Sequence, residues 1–208
     1  MSGFDRLVKT VFDKGMAFVG LLVLWPVILV IALLVRFKMG DGPVFFTQKR
    51  VGQHGKLFTI FKFRTMAADS FGSSITVAGE ERIHPFGARL RRYHLDELPE
   101  LWNVLRGDMS FVGPRPDVPG YADQLQGEDR VVLKLKPGIT GPATLKYRDE
   151  EYLLAGQPDP ERYNNEVIFP DKVRINKYYL EHYSFIQDIR IIIATVTGRH
   201  FVYGGETI

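Results

Sequence analysis

Cysteine is absent from all 208 residues, which removes disulfides, thiolate metal sites and a cysteine nucleophile from consideration. Several catalytic signatures are missing too. There is no GxxxxGKS/T loop, no GxGxxG after a strand, no HExxH and no GxSxG elbow. The five histidines, at 54, 84, 94, 182 and 200, show no metal-ligand spacing, and His94 reads as structural. A strong charge imbalance is also lacking. Net charge is +3, and residues 1–40 carry all of it, with Arg6, Lys9, Lys14, Arg36 and Lys38 against Asp5 and Asp13. The other 168 residues are neutral on balance, so no nucleic-acid partner is expected. Apolar residues make up 45% of the chain, enough to build a buried core.

What is present begins with a 21-residue run without charge, Gly15 to Val35. As a helix it is roughly 31 Å long, about one hydrocarbon thickness. It is too long for a signal peptide, and it lacks the polar face of a core helix. Trp25-Pro26 sits at its midpoint, where proline removes a backbone hydrogen bond and bends a helix. Basic residues flank both ends, so charge asymmetry gives no orientation. Two readings stand: a single-pass anchor with a tolerated proline, and a re-entrant helix broken at Pro26 that returns to the same face. On either, residues 1–40 are a membrane-embedded segment and residues 41–208 a globular domain.

In that domain Pro43–Gln48 and Lys56–Thr65 read as a strand pair around the turn Gly52-Gln53-His54-Gly55. From Gly42 to Ala68 there are five Lys or Arg and no acid. Residues 69–80 form a polar loop. Helices are predicted from Pro85 to Arg92, Leu98 to Leu105, and over 121–135, 171–181 and 184–197, the last strongly apolar. SFVGPRPDVPG is too rich in proline and glycine for regular structure, and KPGITGPATLKYRDEE reads as a turn-rich strand or loop. The fold class is therefore α+β, mainly helical, with a small β-hairpin and interfacial amphipathic helices.

The chemistry concentrates in residues 89–116, RLRRYHLDELPELWNVLRGDMSFVGPRP. Asp96 and Glu97 stand just before Pro99, a residue favoured in a helix's first turn. The helix dipole there should keep both ionised, which suits a nucleophile or metal ligand better than a general acid. Taken alone, an Asp followed by Glu at a helix start is ordinarily a cap. The neighbourhood points further. Arg89, Arg91 and Arg92 precede the pair, and Arg115 follows in a Gly-Pro-Arg-Pro turn. Guanidinium groups match phosphate oxygens bidentately. Lys62 and Arg64 from the hairpin, and Arg148 from the later loop, are further phosphate-binding candidates.

The runs QKRVG, FTIFKFRTM, LDELPELWNVLRGDMSFVGPRP and KPGITGPA resemble the bacterial sugar transferases, also called monotopic phosphoglycosyl transferases. The resemblance covers nearly the whole chain and matches the small form of the family. It implies transfer of a sugar phosphate from a UDP-sugar to undecaprenyl phosphate in two half-steps with Mg2+. Asp96 matches the nucleophile that attacks the β-phosphorus and expels UMP, and Glu97 its partner at the metal. Lys62, Arg91, Arg115 and Arg148 match positions that hold phosphate and nucleotide. The resemblance also implies a re-entrant helix broken at Pro26, membrane lipids as surroundings, and the bacterial inner membrane, with the catalytic domain on the cytoplasmic face. The chain departs at Trp25, where a serine often stands, and over 147–170, unlike the shorter tryptophan-containing loop of some relatives.

Exchange of one phosphoanhydride for another is close to thermoneutral, so catalysis of this kind is mostly positioning and charge neutralisation. Two competing functions remain at this stage. One is a membrane glycosyltransferase that moves the bare sugar and releases UDP. The other is a non-catalytic membrane scaffold of a glycan assembly complex.

Overall fold

A computed structural model of the protein describes residues 1–67 and 82–208, so the expected loop over 69–80 lies outside the described residues. Helix α1 (Gly3–Lys38) takes in the whole uncharged run and extends past both ends. Ser2 caps it: its Oγ accepts from Asp5 N at 3.1 Å, while the Asp5 carboxylate accepts from Ser2 N at 2.8 Å. Pro26 lies inside the helix and leaves the Leu22 carbonyl without its ladder donor. Among the described residues it is the one helix long and apolar enough to cross a membrane.

The buried residues of α1 are Lys9, Asp13 and Ala17 near one end and Ile31 and Val35 near the other. Spacing by four places each set on one stripe of the helix. Leu22, Val23, Trp25, Val27, Leu29 and Val30 between them are exposed.

Strands β1 (Phe45–Val51) and β2 (Leu57–Phe63) form an antiparallel hairpin in which Gln48 faces Ile60 and Val51 faces Leu57. Its turn is tight because His54 takes a left-handed conformation, with φ of 60°. Helix α2 (Pro85–Arg92) starts at His84, whose Nδ1 accepts from Phe86 N. It lies directly on the end of the hairpin: a Cβ at Gly87 would fall 2.0 Å from the Thr65 carbonyl oxygen, so only glycine fits.

Helix α3 (Glu100–Arg106) packs between α1 and the hairpin. Asn103 explains its placement. Fully buried, it donates to the Thr59 carbonyl at 2.7 Å and accepts from Phe61 N at 3.1 Å, which satisfies the outer edge of β2.

Three expectations change from here on, the first being that Pro142–Lys146, inside the stretch read as a turn-rich strand or loop, is a helix. Ser110–Val112, inside the stretch read as irregular, is a strand, β3, paired in parallel with β4 (Gly138–Thr140). Its partner is remote in sequence, so local composition could not announce it. Residues 122–134 are not an α-helix but 3-10 turns, Ala122–Gln124 and Gly127–Lys134.

Short helices α4 (Pro142–Lys146), α5 (Glu150–Ala155) and α6 (Pro160–Tyr163) follow. The last runs through a π-helical turn into α7 (Phe169–Glu181), then α8 (Phe185–Thr197) and a hairpin of β5 (Val202–Tyr203) and β6 (Glu206–Thr207). The expected helix-rich mixture with a β-hairpin is what forms.

Three apolar clusters hold these parts. Val112, Leu145, Tyr179, Ile191, Tyr203 and Ile208 join β3, α4, α7, α8 and the C-terminal hairpin. Ala17 of α1 packs with Phe58, Ile60, Val104 and Met109, and further along α1 Ile31 and Val35 pack with Phe63 and Leu90.

Candidate active site

Asp96 and Glu97 do not lie in the first turn of α3 but on a 3-10 turn of their own, Leu95–Glu97, with Pro99 capping α3 behind them. His94 makes that turn possible. Its left-handed backbone, with φ of 52°, reverses the chain between α2 and the pair. His94 N then donates to Arg91 O at 3.0 Å, and Glu97 N donates to His94 O at 3.3 Å. The turn therefore sets the pair directly beside the basic end of α2.

The two carboxylates have different surroundings. Glu97 Oε1 accepts from Lys62 Nζ at 2.7 Å and from an Arg115 Nη at 3.3 Å. Burial alone would raise its carboxyl, but Lys62 and Arg115 outweigh it and hold the group down at about 2. Lys62 Nζ also lies 3.1 Å from Glu100 Oε1. Burial would lower the lysine; Glu97 and Glu100 together reverse that and raise it, so it stays charged. Glu100 is the deepest of the three acids. Burial pushes its carboxyl up, Lys62 opposes and the Glu97 charge adds, leaving it at about 7.

Asp96 is 7% exposed, and among the described residues no other side chain donates a hydrogen bond to its carboxylate. Burial raises it above its ordinary value, Glu97 adds to the rise, and Lys62 and Arg91 oppose. The expectation that both carboxylates are held ionised is therefore met in direction at Glu97, through neighbouring cations, and opposed at Asp96, where burial raises the carboxyl. Arg91 itself pairs with Glu151 at the start of α5. The outcome is a poorly solvated, uncommitted carboxylate next to a clamped one, enclosed by Lys62, Arg91 and Arg115. Such an arrangement can receive the phosphorus of an anionic substrate while spreading its charge over fixed cations.

Known proteins similar to this chain give it a family. The bacterial sugar transferase family matches residues 4–201. The chain belongs to that family. It is 35% identical over 190 residues to the uncharacterized sugar transferase EpsL of Bacillus subtilis, covering 91% of this chain and 86% of that protein. It is 36% identical over 201 residues to the exopolysaccharide production protein PSS of Rhizobium leguminosarum bv. phaseoli, covering 92% and 94%. With the UDP-glucose:undecaprenyl-phosphate glucose-1-phosphate transferase of Xanthomonas campestris pv. campestris it shares 37% over 205 residues; the match covers 93% of this chain but 40% of that enzyme.

Two of the transferase's expected phosphate-binding residues are engaged elsewhere. Arg64 is buried and donates to the carbonyls of Met39, Gly40 and Asp41 at 2.6–3.3 Å, fastening the end of α1. Arg148 donates to the Gly198 carbonyl at 2.9 Å, closing the C-terminus of α8. Lys62, Arg91 and Arg115 do come together around the pair. Sequence reasoning missed Glu100 and Asn103. Glu100 stands three residues after Glu97, a spacing that returns to nearly the same side of a helical path and was the available signal; Asn103, six residues on, is about 120° round and gave none. Two surface hollows of about 400 and 550 Å3 occur elsewhere, and neither is lined by a residue of this cluster.

For a divalent cation, the fit rests on donor chemistry. Mg2+ favours one or two carboxylates, with substrate phosphates and waters completing its shell. Asp96 and Glu97 supply two adjacent carboxylates, and no group of three or more His, Asp or Glu that could cage a metal occurs among the described residues. The pair suits a cation that arrives with a phosphorylated substrate.

Proposed function

We propose that this transferase moves a sugar-1-phosphate from a UDP-sugar to undecaprenyl phosphate through a covalent phosphosugar on Asp96. The observation that carries the proposal is the contrast within the pair: Glu97 is held by Lys62 and Arg115, while Asp96 is buried and uncommitted inside the same ring of cations.

In the first half-step an Asp96 oxygen bonds to the β-phosphorus and the bond to UMP breaks. In the second, an oxygen of the lipid phosphate bonds to the same phosphorus and the Asp96 bond breaks. Each step exchanges one phosphate linkage for another, so the residues need to align and neutralise rather than supply energy. Lys62 and Arg115 fix Glu97, and through it the turn that aims Asp96. Arg91, released from Glu151, would face the substrate's phosphate oxygens. Mg2+ held by Asp96 and Glu97 would neutralise diphosphate charge.

The packing of α1 supports the re-entrant topology. Lys9 and Asp13 near its start, and Ile31 and Val35 near its end, all bury against the globular domain. A straight bilayer crossing would separate those ends by the hydrocarbon thickness, yet one domain touches both. The exposed apolar middle is left to lie in one leaflet, with the catalytic face at the cytoplasmic side of the inner membrane, where a lipid phosphate and a soluble nucleotide sugar can meet.

With a UDP-sugar alone, intact-mass analysis should show an added phosphosugar that Asp96→Asn lacks while retaining its fold. With both substrates, UMP should appear and turnover of Asp96→Asn should fall by on the order of 10^3-fold or more. UDP as the released nucleotide would sink the proposal.

A further inference from the structure

Three of the motif runs meet at one place, yet only one of their residues has a role so far. QKRVG (48–52) ends β1, GPRP (113–116) carries Arg115, and KPGITG (136–141) contains β4. The turn over residues 113–117 is gripped from two sides. On the β4 side, Gly113 N donates to Thr140 O at 2.9 Å and Gly138 N donates to Pro114 O at 2.8 Å. The two backbones nearly touch there: a Cβ on Gly138 would fall 2.2 Å from Gly113 N. On the β1 side, Val51 N donates to Asp117 O at 2.9 Å, and Arg50 Nη1 donates to Pro116 O at 3.0 Å.

The prolines make these carbonyl contacts decisive. Pro114 and Pro116 have no N–H, so the backbone on either side of Arg115 can be held chiefly through its oxygens. Both proline carbonyls are taken, one by Gly138 and one by Arg50. Arg50 is the only side chain among these four donors. Its Nε is buried and unpartnered, so Pro116 O is its one hydrogen-bond partner among the described residues. It stands in the same field of charges as the reaction centre: burial lowers its pKa, nearby Arg115 adds to this, and Asp117, Glu100 and Glu97 oppose.

We infer that Arg50 is a positioning residue for the transfer, which by holding the Pro116 carbonyl sets the Arg115 guanidinium against Glu97 and the substrate's phosphate. The 3.3 Å between Arg115 and Glu97 is already near the outer limit of a hydrogen bond, so a small drift of the turn breaks it. The inference rests on the transfer reaction proposed above and makes QKRVG a support for GPRP rather than a phosphate ligand in its own right.

The test is a double-mutant cycle with Arg50→Met and Arg115→Met in the full chain, reconstituted in nanodiscs with Mg2+. Two quantities are read: UMP release with UDP-sugar and undecaprenyl phosphate, and affinity for UDP by calorimetry. Arg50→Met is expected to lose on the order of 10^2-fold in kcat/KM, as misplacement of about an ångström does. The double variant should lose no more than Arg115→Met alone, and Arg50→Lys should recover part of the loss. Additive losses, or wild-type behaviour of Arg50→Met, overturn the inference. If Arg50→Met melts much earlier than wild type, the cycle is run below the temperature at which its own melting curve begins, with the same criteria. A wild-type chain that binds UDP but releases no UMP sinks the transfer reaction alone, because the cycle in UDP affinity still decides Arg50. A wild-type chain that does not bind UDP overturns both.

Discussion

Lys62 lies against two acids at once, and the environment divides them. Glu97 has a second cation in Arg115 and stays ionised down to about 2, whereas Glu100 shares the lysine, is 2% exposed and sits at about 7. The consequence for stability has a definite sign. A carboxyl raised from 4.5 to about 7 favours the folded state fully below the unfolded value, and that advantage is lost as pH rises through 7. Glu97 stays charged throughout that window and adds no slope. The melting temperature of wild type relative to Glu100→Gln should therefore decline between about pH 5 and about pH 8, measured without added Mg2+. Parallel melting curves across that range would show that Glu100 is not the titrating group. Asp117, raised to about 6 mainly by burial, is present in both proteins and cancels from the difference.

Helices α1 and α8 meet through charge as well as apolar contact. Lys9 Nζ lies 2.6 Å from Asp188 Oδ2, both buried, and Tyr179 donates to Asp188 Oδ1 at 2.5 Å. Lys9→Met would leave Asp188 buried without its cation, which costs about 3–5 kcal/mol. Lys9→Met with Asp188→Leu should restore much of that, as thermal unfolding in detergent can report; a harmless single substitution would refute the pairing as a tether. The same pair shows what sequence could and could not reveal about elements. The bounds of α2 and α8 followed from Pro85, the basic end at Arg92 and the apolar run after Ser184, all local signals. Lys9 read as one of the basic residues flanking the uncharged run, and Asp188 as one of two charges, with Arg190, on an apolar helix, because 179 residues separate the partners. Strand β3 was invisible for a related reason: its glycine- and proline-rich surroundings suit a parallel pairing with β4 that only the folded chain provides. At the site, Asp96, Glu97, Lys62, Arg91 and Arg115 were nameable from residue type and resemblance. Glu100's depth and Arg64's commitment to the end of α1 depend on packing, which residue type does not encode.

At the scale of the whole molecule, the uncharged run and the globular domain are not successive units joined by a linker. Helix α1 is 36 residues, roughly 54 Å at 1.5 Å per residue, far more than the ~30 Å of hydrocarbon a single crossing needs. Its surplus length is docked: Asp13 accepts from Phe111 N at 3.3 Å, Ala17 joins the Phe58–Ile60 cluster, and Val35 joins Phe63 and Leu90. Beyond its end, Arg64 grips three successive carbonyls. Moving either end to the far side of a bilayer would break one of these sets, and moving the start of α1 would strand Lys9 and Asp13 without partners. The absence of cysteine from these 208 residues makes the resulting prediction direct to check. Single cysteines placed at Gly3 and at Gly40 should both react with an impermeant maleimide from the cytoplasmic side of oriented inner-membrane vesicles and resist it from the other. Reaction of the two positions from opposite faces would establish a single crossing, and with it the loss of the contacts that α1 makes at one of its ends.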